Sequence, residues 1–337
     1  MRIKILNITL SVAAALLFLW FAFKSIAIDE LWQQILLVNY YWLPFFIAIL
    51  IFSHFIRAVR WRLLLPDQYQ STKSITLFAG VMLGYVVNNI IPRLGEISRP
   101  VYVSKKTGLK SGILIGTVVI ERVFDLITML CIAMAALFWL IKDLGTLERL
   151  LGLEGWSTAY YLFLPLLIGL LFFFIWIFYK LILYIDTNID TQNPLLTKII
   201  TFGRSFSEGL ISLKKVKNWP LFLFLTCCMW FGYILMIYIP FYMMQMQADF
   251  GLNFWDAVVL TVVSAVGVTI PTPAGIGSYH LLIQQSLYML YEVPLAKGLT
   301  YATVIHAVTI LTVFIVGPIA LWWDKFVTMK KSTKANS

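Results

Sequence analysis

Trp219 to Met244 read WPLFLFLTCCMWFGYILMIYIPFYMM, a run without one charged side chain. A helix of roughly 20 apolar residues crosses a hydrocarbon core of about 30 Å, and this run is long enough. Five further segments, about 5–23, 41–57, 113–141, 158–183 and 298–323, are also predominantly apolar and long enough to span. Hydrophobic residues make up 61% of the chain and charged residues 12%, where a soluble domain carries about 25% charged residues. Mean hydropathy is +0.86. So much apolar surface has to face lipid. The runs are continuous, whereas barrel strands alternate in polarity. The expected fold is therefore all-α, a polytopic transmembrane helical bundle of about six full spans.

The net charge of +10 does not point to nucleic acid, because the basic residues sit in short connections beside apolar runs. Cytoplasmic Lys and Arg are distributed that way in membrane proteins. Membrane lipids are the expected partners, and the sequence gives no oligomeric state. Cys131, Cys227 and Cys228 all fall inside apolar runs without metal-ligand spacing. There is no nucleophile–base pair, metal-ligand set or phosphate-binding glycine loop to read, so no enzyme activity, metal or cofactor is expected. Arg2 and Lys4 precede the first run, and Ser25-Ile26-Ala27 faintly resembles a cleavage site. The run is longer than a signal h-region of about 7–15 residues, which favours an uncleaved span.

Two apolar stretches, 75–91 and 256–290, are interrupted by Pro and Gly. Basic residues flank the first on both sides: Arg57, Arg60, Arg62 and Lys73 before it, Arg93, Arg99, Lys105, Lys106 and Lys110 after it. Acidic residues dominate the connection before the second, with Asp249 and Asp256. A full crossing by 75–91 would put the two basic clusters on opposite sides. A re-entrant hairpin from the cytoplasm keeps both inside, and a second hairpin from outside leaves the C-terminal lysines inside as well. The chain is thus expected in a bacterial-type plasma or inner membrane, with both termini cytoplasmic. Residues 1–325 form one domain, and 326–337 form a disordered cytoplasmic tail. The Tyr41–Pro92 and Trp219–Pro271 separations differ by one residue. Segments 41–141 and 219–323 therefore read as inverted repeats of the kind from which transporters build midplane sites. Any two apolar stretches broken by Ile-Pro would look similar.

Four constellations carry polar chemistry. In the first, Asn88 and Asn89 interrupt an apolar run and Pro92 and Gly95 break it; such backbone is tolerated at membrane depth only against protein or water. Arg93, Glu96 and Arg99 follow at spacings of three, one face of a helix. They suit a phosphate clamp; a cytoplasmic turn held by an Arg–Glu pair is the alternative. In the second, Glu121, Arg122 and Asp125 lie inside a span, where ionisable groups are functional candidates. They suit a charge site facing Arg93 and Arg99, or a buried ion pair locking two helices. In the third, Pro271, Pro273, Gly275 and Gly277 end one helix before His280. The backbone N–H groups from Gly275 to Ser278 then suit an anion. His280 suits a proton shuttle or a plain hydrogen bond. In the fourth, Arg57, Arg60, Trp61 and Arg62 read as interface anchors.

These motifs, in the order Arg57-x-x-Arg60-Trp61-Arg62, Gly84-Tyr85-x-x-Asn88-Asn89-x-x-Pro92-x-x-Gly95-Glu96-x-x-Arg99, Glu121-Arg122-x-x-Asp125 and Pro271-x-Pro273-x-Gly275-Ile276-Gly277, run through nearly the whole chain. The pattern resembles the transmembrane region of lysylphosphatidylglycerol synthases and their stand-alone flippase-like relatives. The resemblance implies movement of a polar phospholipid or lipid-linked headgroup between leaflets. Two departures stand out. Ala274 replaces a family glycine and His280 stands near an acidic position, implying a less cationic lipid. No aminoacyl-transferase segment is read within these 337 residues, so synthase activity is not expected. A non-transporting scaffold or regulator of envelope assembly is the alternative. The two hairpin tips are expected to share one cavity near the midplane.

Cysteines introduced at Ser71 and Ser111 are expected to be labelled from one side of the membrane, and cysteines at Asn253 and Glu292 from the other. Labelling of the first pair from opposite sides by an impermeant maleimide contradicts the first re-entrant hairpin.

Overall fold

The computed structural model describes residues 2–24, 26–141, 180, 216 and 218–335. The span expected at 158–183, the interfacial helix expected at 196–213 and the acidic connection after residue 141 lie outside the described residues. Within them the chain is helical, with no strand. The helices are α1 (Arg2–Phe23), α2 (Ile28–Leu36), α3 (Leu43–Arg62), α4 (Ser74–Ile90), α5 (Gly95–Thr107), α6 (Ser111–Ile141), α7 (Trp219–Met243), α8 (Met246–Phe250), α9 (Phe254–Thr269), α10 (Ser278–Tyr291) and α11 (Leu295–Ala335). Four stretches among the described residues are long and apolar enough to cross a bilayer: Tyr40–Arg62, Ser111–Leu140, Trp219–Met243 and Leu295–Val327. Ser11–Phe23 and Ile28–Leu36 together qualify as a fifth, bent by 82°. This is a multi-pass integral membrane protein. Helix α11 continues to Ala335, past the point where a disordered tail is expected from sequence. No Pro or Gly follows Pro318 to stop it.

Both broken stretches form helix–break–helix units. Helix α4 ends at Ile90, and α5 returns after a break in which Arg93 takes φ 66°. Helix α9 ends at Thr269, a 3-10 turn spans Pro273–Gly275, and α10 returns from Ser278. At the start of α9 Asn253 and Asp256 form a reciprocal capping box, satisfying donors that lipid cannot.

The two sets α3–α6 and α7–α11 pack in matching pairs. Helix α3 lies antiparallel to α7: Asn39 N–H donates to the Met243 carbonyl at 2.7 Å, and Arg57 and Arg60 reach Tyr233 and Thr226 further along. Helix α4 lies antiparallel to α11, with Thr76 bonded to Asp324 and Val86 facing Gly317. Helix α6 meets α9 in the same sense, through the 3.1 Å Trp139–Asp256 bond.

Lipid tails give no hydrophobic drive to bring helices together, so close approach of small residues matters. Helix α5 crosses α4 where Gly95 meets Gly84. A Cβ on Gly95 would drive into the Gly84 carbonyl oxygen and the Asn88 amide. The second break is held against α1 in the same way: a Cβ on Gly277 would meet the Ala15 carbonyl and Phe18, and Gly277 has φ 86°.

Gly95→Ala is expected to destabilise the protein by about 1–3 kcal/mol through overpacking. Gly112→Ala, where an added Cβ has nothing within 4 Å, is expected to leave the unfolding temperature in detergent unchanged. Equal unfolding temperatures for the two variants contradict the close crossing.

Candidate functional site

Arg57 and Arg60 are not interface anchors. They are 4% and 0% exposed, because α3 stays helical to Arg62 and turns residues 57, 60 and 61 into the bundle. Two carboxylates one turn apart on α6 meet them. Arg57 Nη1 lies 3.0 Å from Glu121 Oε1 and its Nη2 2.9 Å from Asp125 Oδ2. Arg60 Nη2 lies 2.6 Å from Asp125 Oδ1 and 3.5 Å from Glu121 Oε1. Arg99 grips Glu121 with both terminal nitrogens, at 3.3 and 2.7 Å. Its guanidinium lies 3.8 Å from the centroid of the Trp61 ring, and the Trp61 indole N–H donates to Thr117 Oγ1 at 2.8 Å. Tyr233 and Thr226 take further Arg57 and Arg60 donors. Among the described residues, Arg60 Nε and Arg99 Nε are buried with no hydrogen-bond partner.

These five charged groups sum to three guanidiniums against two carboxylates. A net positive charge held in lipid without water is costly unless an anion neutralises it. Its place is beside a half-open cleft of about 280 Å³, lined by residues of α3 to α6 that include Arg57, Arg99, Tyr85, Asn88, Glu96 and Arg122. At the mouth Arg122 Nε faces Glu96 Oε1 at 3.3 Å, and both side chains are nearly half exposed. Arg122 also lies 3.7 Å from Asp125.

The other residues expected to act here divide. Asn88 accepts from the Gly95 N–H at 2.7 Å and thereby caps α5, while Asn89 is half-buried. Arg93 does not join Arg99. Its left-handed backbone takes it out of the helix that starts at Gly95, and its side chain is exposed. Gly275, Gly277 and His280 do not line this cleft. In the second break the Gly275 and Ile276 N–H groups already donate to Thr272 and Pro273 carbonyls, so two of the four expected anion donors are spent inside the turn. Ser278, fully buried, donates its hydroxyl to the Gly267 carbonyl. His280 stacks on His306 with centroids 5.0 Å apart, and His306 Nε2 bonds the Ala274 carbonyl at 2.9 Å. The turn does pack against α4, yet the cleft residues all precede it in the chain. Among the described residues no three His, Cys, Asp or Glu side chains cluster as metal ligands.

A helical membrane protein with a buried arginine–carboxylate cluster beside a cleft is the class that this geometry defines. The family described as "Lysylphosphatidylglycerol synthase TM region" matches residues 8–317, and the chain belongs to it. It is 27% identical over 197 residues to the UPF0104 membrane protein MJ1078 of Methanocaldococcus jannaschii, covering 58% of this chain and 77% of that one. To the UPF0104 membrane protein MJ1595 of the same organism it is 31% identical over 130 residues, 37% of this chain and 38% of that one. No solved structure matches the chain.

Glu121→Ala leaves Arg99 buried without its carboxylate and Arg57 with Asp125 alone. The expected loss is about 3–5 kcal/mol of stability, read as a sharply lower unfolding temperature or failure to fold. Lys297→Ala breaks the partly exposed Lys297–Asp249 pair and is expected to cost at most about 1 kcal/mol. Equal losses contradict the cluster as the structural centre.

Proposed function

We propose that this chain binds a polar phospholipid or lipid-linked headgroup and carries it between membrane leaflets. The observation that carries the reading is the buried cluster, one anion short, opening to a cleft at membrane depth. A phosphate there gains charge-assisted hydrogen bonds from guanidiniums, worth about 1.5–3 kcal/mol each, while acyl chains stay in the bilayer. The antiparallel pairing of α3 with α7, α4 with α11 and α6 with α9 supports two inverted repeats. That architecture lets one half rock against the other. The distribution of Lys and Arg supports cytoplasmic termini in a plasma or inner membrane. A second reading, a non-transporting scaffold, draws support from the same cluster, whose ion pairs lock α3, α5 and α6 together.

Reconstitution into liposomes with headgroup-retaining fluorescent phospholipids tests the reading. Movement above protein-free vesicles is expected, slowed about tenfold or more by Arg122→Gln, which removes one charge-assisted bond at the mouth. No movement of any phospholipid above protein-free vesicles contradicts translocation and favours the scaffold.

A further inference from the structure

The cleft contains two electrostatic layers with different balances. The inner layer, Arg57, Arg60 and Arg99 against Glu121 and Asp125, is buried and carries one positive charge in excess. The outer layer, Arg122 with Glu96, is neutral and nearly half exposed. Arg57 and Arg99 of the inner layer, and both outer side chains, line the same cleft. Glu96 stands on the first turn of α5, one turn before Arg99, and Arg122 directly follows Glu121 on α6. An anion entering the cleft to reach Arg99 therefore passes the Glu96–Arg122 pair.

From this balance we propose that the cleft selects a phosphate diester, carrying one negative charge, over a phosphate monoester, and that Glu96 sets the choice. The inference rests on the lipid-binding reading above and names its substrate class. A diester brings the whole site to neutrality. It takes Arg122 from Glu96 and adds the counter-charge that the inner arginines lack. A monoester carries about −1.5 to −2 charges at neutral pH, and the extra charge is repelled by the Glu96 carboxylate, an effect that water at the half-exposed mouth weakens without removing. While the pair is closed at 3.3 Å, Arg122 Nε is engaged by Glu96 and is not free to meet a phosphate. Separation of that pair is thus part of binding. Because both residues are nearly half exposed, the pair is weak enough to open.

Glu96→Gln raises the net charge of the site from one to two and should reverse the preference. The full chain in nanodiscs is titrated with phosphatidylglycerol, a diester, and with phosphatidate, a monoester, at pH 8. The soluble headgroups glycerophosphoglycerol and glycerol 3-phosphate are titrated in parallel against the chain in detergent. The wild-type protein is expected to prefer the diester lipid, and Glu96→Gln to shift the diester-to-monoester affinity ratio by roughly tenfold toward phosphatidate. Glu96→Asp, which keeps the charge, is expected to retain the wild-type ratio, separating charge from loss of fold. An unchanged ratio in Glu96→Gln overturns the charge rule while leaving lipid binding standing. Binding of the soluble esters alone, with the ratio shift, keeps the rule and overturns the lipid. No binding of any phosphate ester by the wild-type protein overturns both.

Discussion

A cluster of five charged side chains lies buried in a protein built to sit in lipid, and the packing around it answers to their mutual neutralisation. An ionised group at the centre of a bilayer costs several kcal/mol or more, so Glu121 and Asp125 are tolerable only with Arg57, Arg60 and Arg99 against them. That requirement fixes three helices at once. Helix α3 must present residues 57 and 60 inward, α6 must turn its i, i+4 carboxylates to meet them, and α5 must enter far enough to deliver Arg99. Helix α7 completes the ring with Tyr233 and Thr226. The cluster is also polarised: guanidiniums outnumber carboxylates and border the cleft, so the structural lock and the candidate binding surface share the same atoms.

Delivering Arg99 depends on the α4–α5 crossing. Without Cβ atoms at Gly84 and Gly95 the two helices touch backbone to side chain, and the Arg99 side chain lies along Gly84. Asn88 caps the incoming helix, and Asp324 of α11 ties down the other end through Thr76, Tyr102 and Lys106. The hairpin is therefore braced at tip and base. The second hairpin has different fastenings: Gln284 donates to the Ala22 carbonyl at 3.0 Å, and Gly277 abuts α1.

The helical membrane fold was legible because apolar runs and charge depletion have no other outlet than lipid. Breaks at Pro92 and Pro271 were legible because proline and glycine end helices locally, and the Glu121–Asp125 face followed from helical spacing. The environment of Arg57 and Arg60 was not, since basic residues near a span end look alike whether they reach water or turn inward. The distinguishing signal was available: 57, 60 and 61 share one face, and Glu121, Arg122 and Asp125 together left one negative charge uncompensated. Arg93 misled for the opposite reason. Its spacing from Glu96 and Arg99 suits a helix, but one residue in left-handed backbone before Gly95 removes it from that face. Local spacing cannot report a backbone reversal, and it cannot say which of two broken hairpins borders a cleft.

A phosphate is proposed as the anion that the buried cluster lacks. The direct measurement is an experimental structure of the protein in nanodiscs rich in phosphatidylglycerol, at a resolution that shows side chains and ordered headgroups. The prediction is a tetrahedral density within hydrogen-bond distance of the Arg99 and Arg122 guanidiniums, with the Glu96–Arg122 pair separated. A cleft holding only water in saturating lipid, with that pair closed, would contradict it.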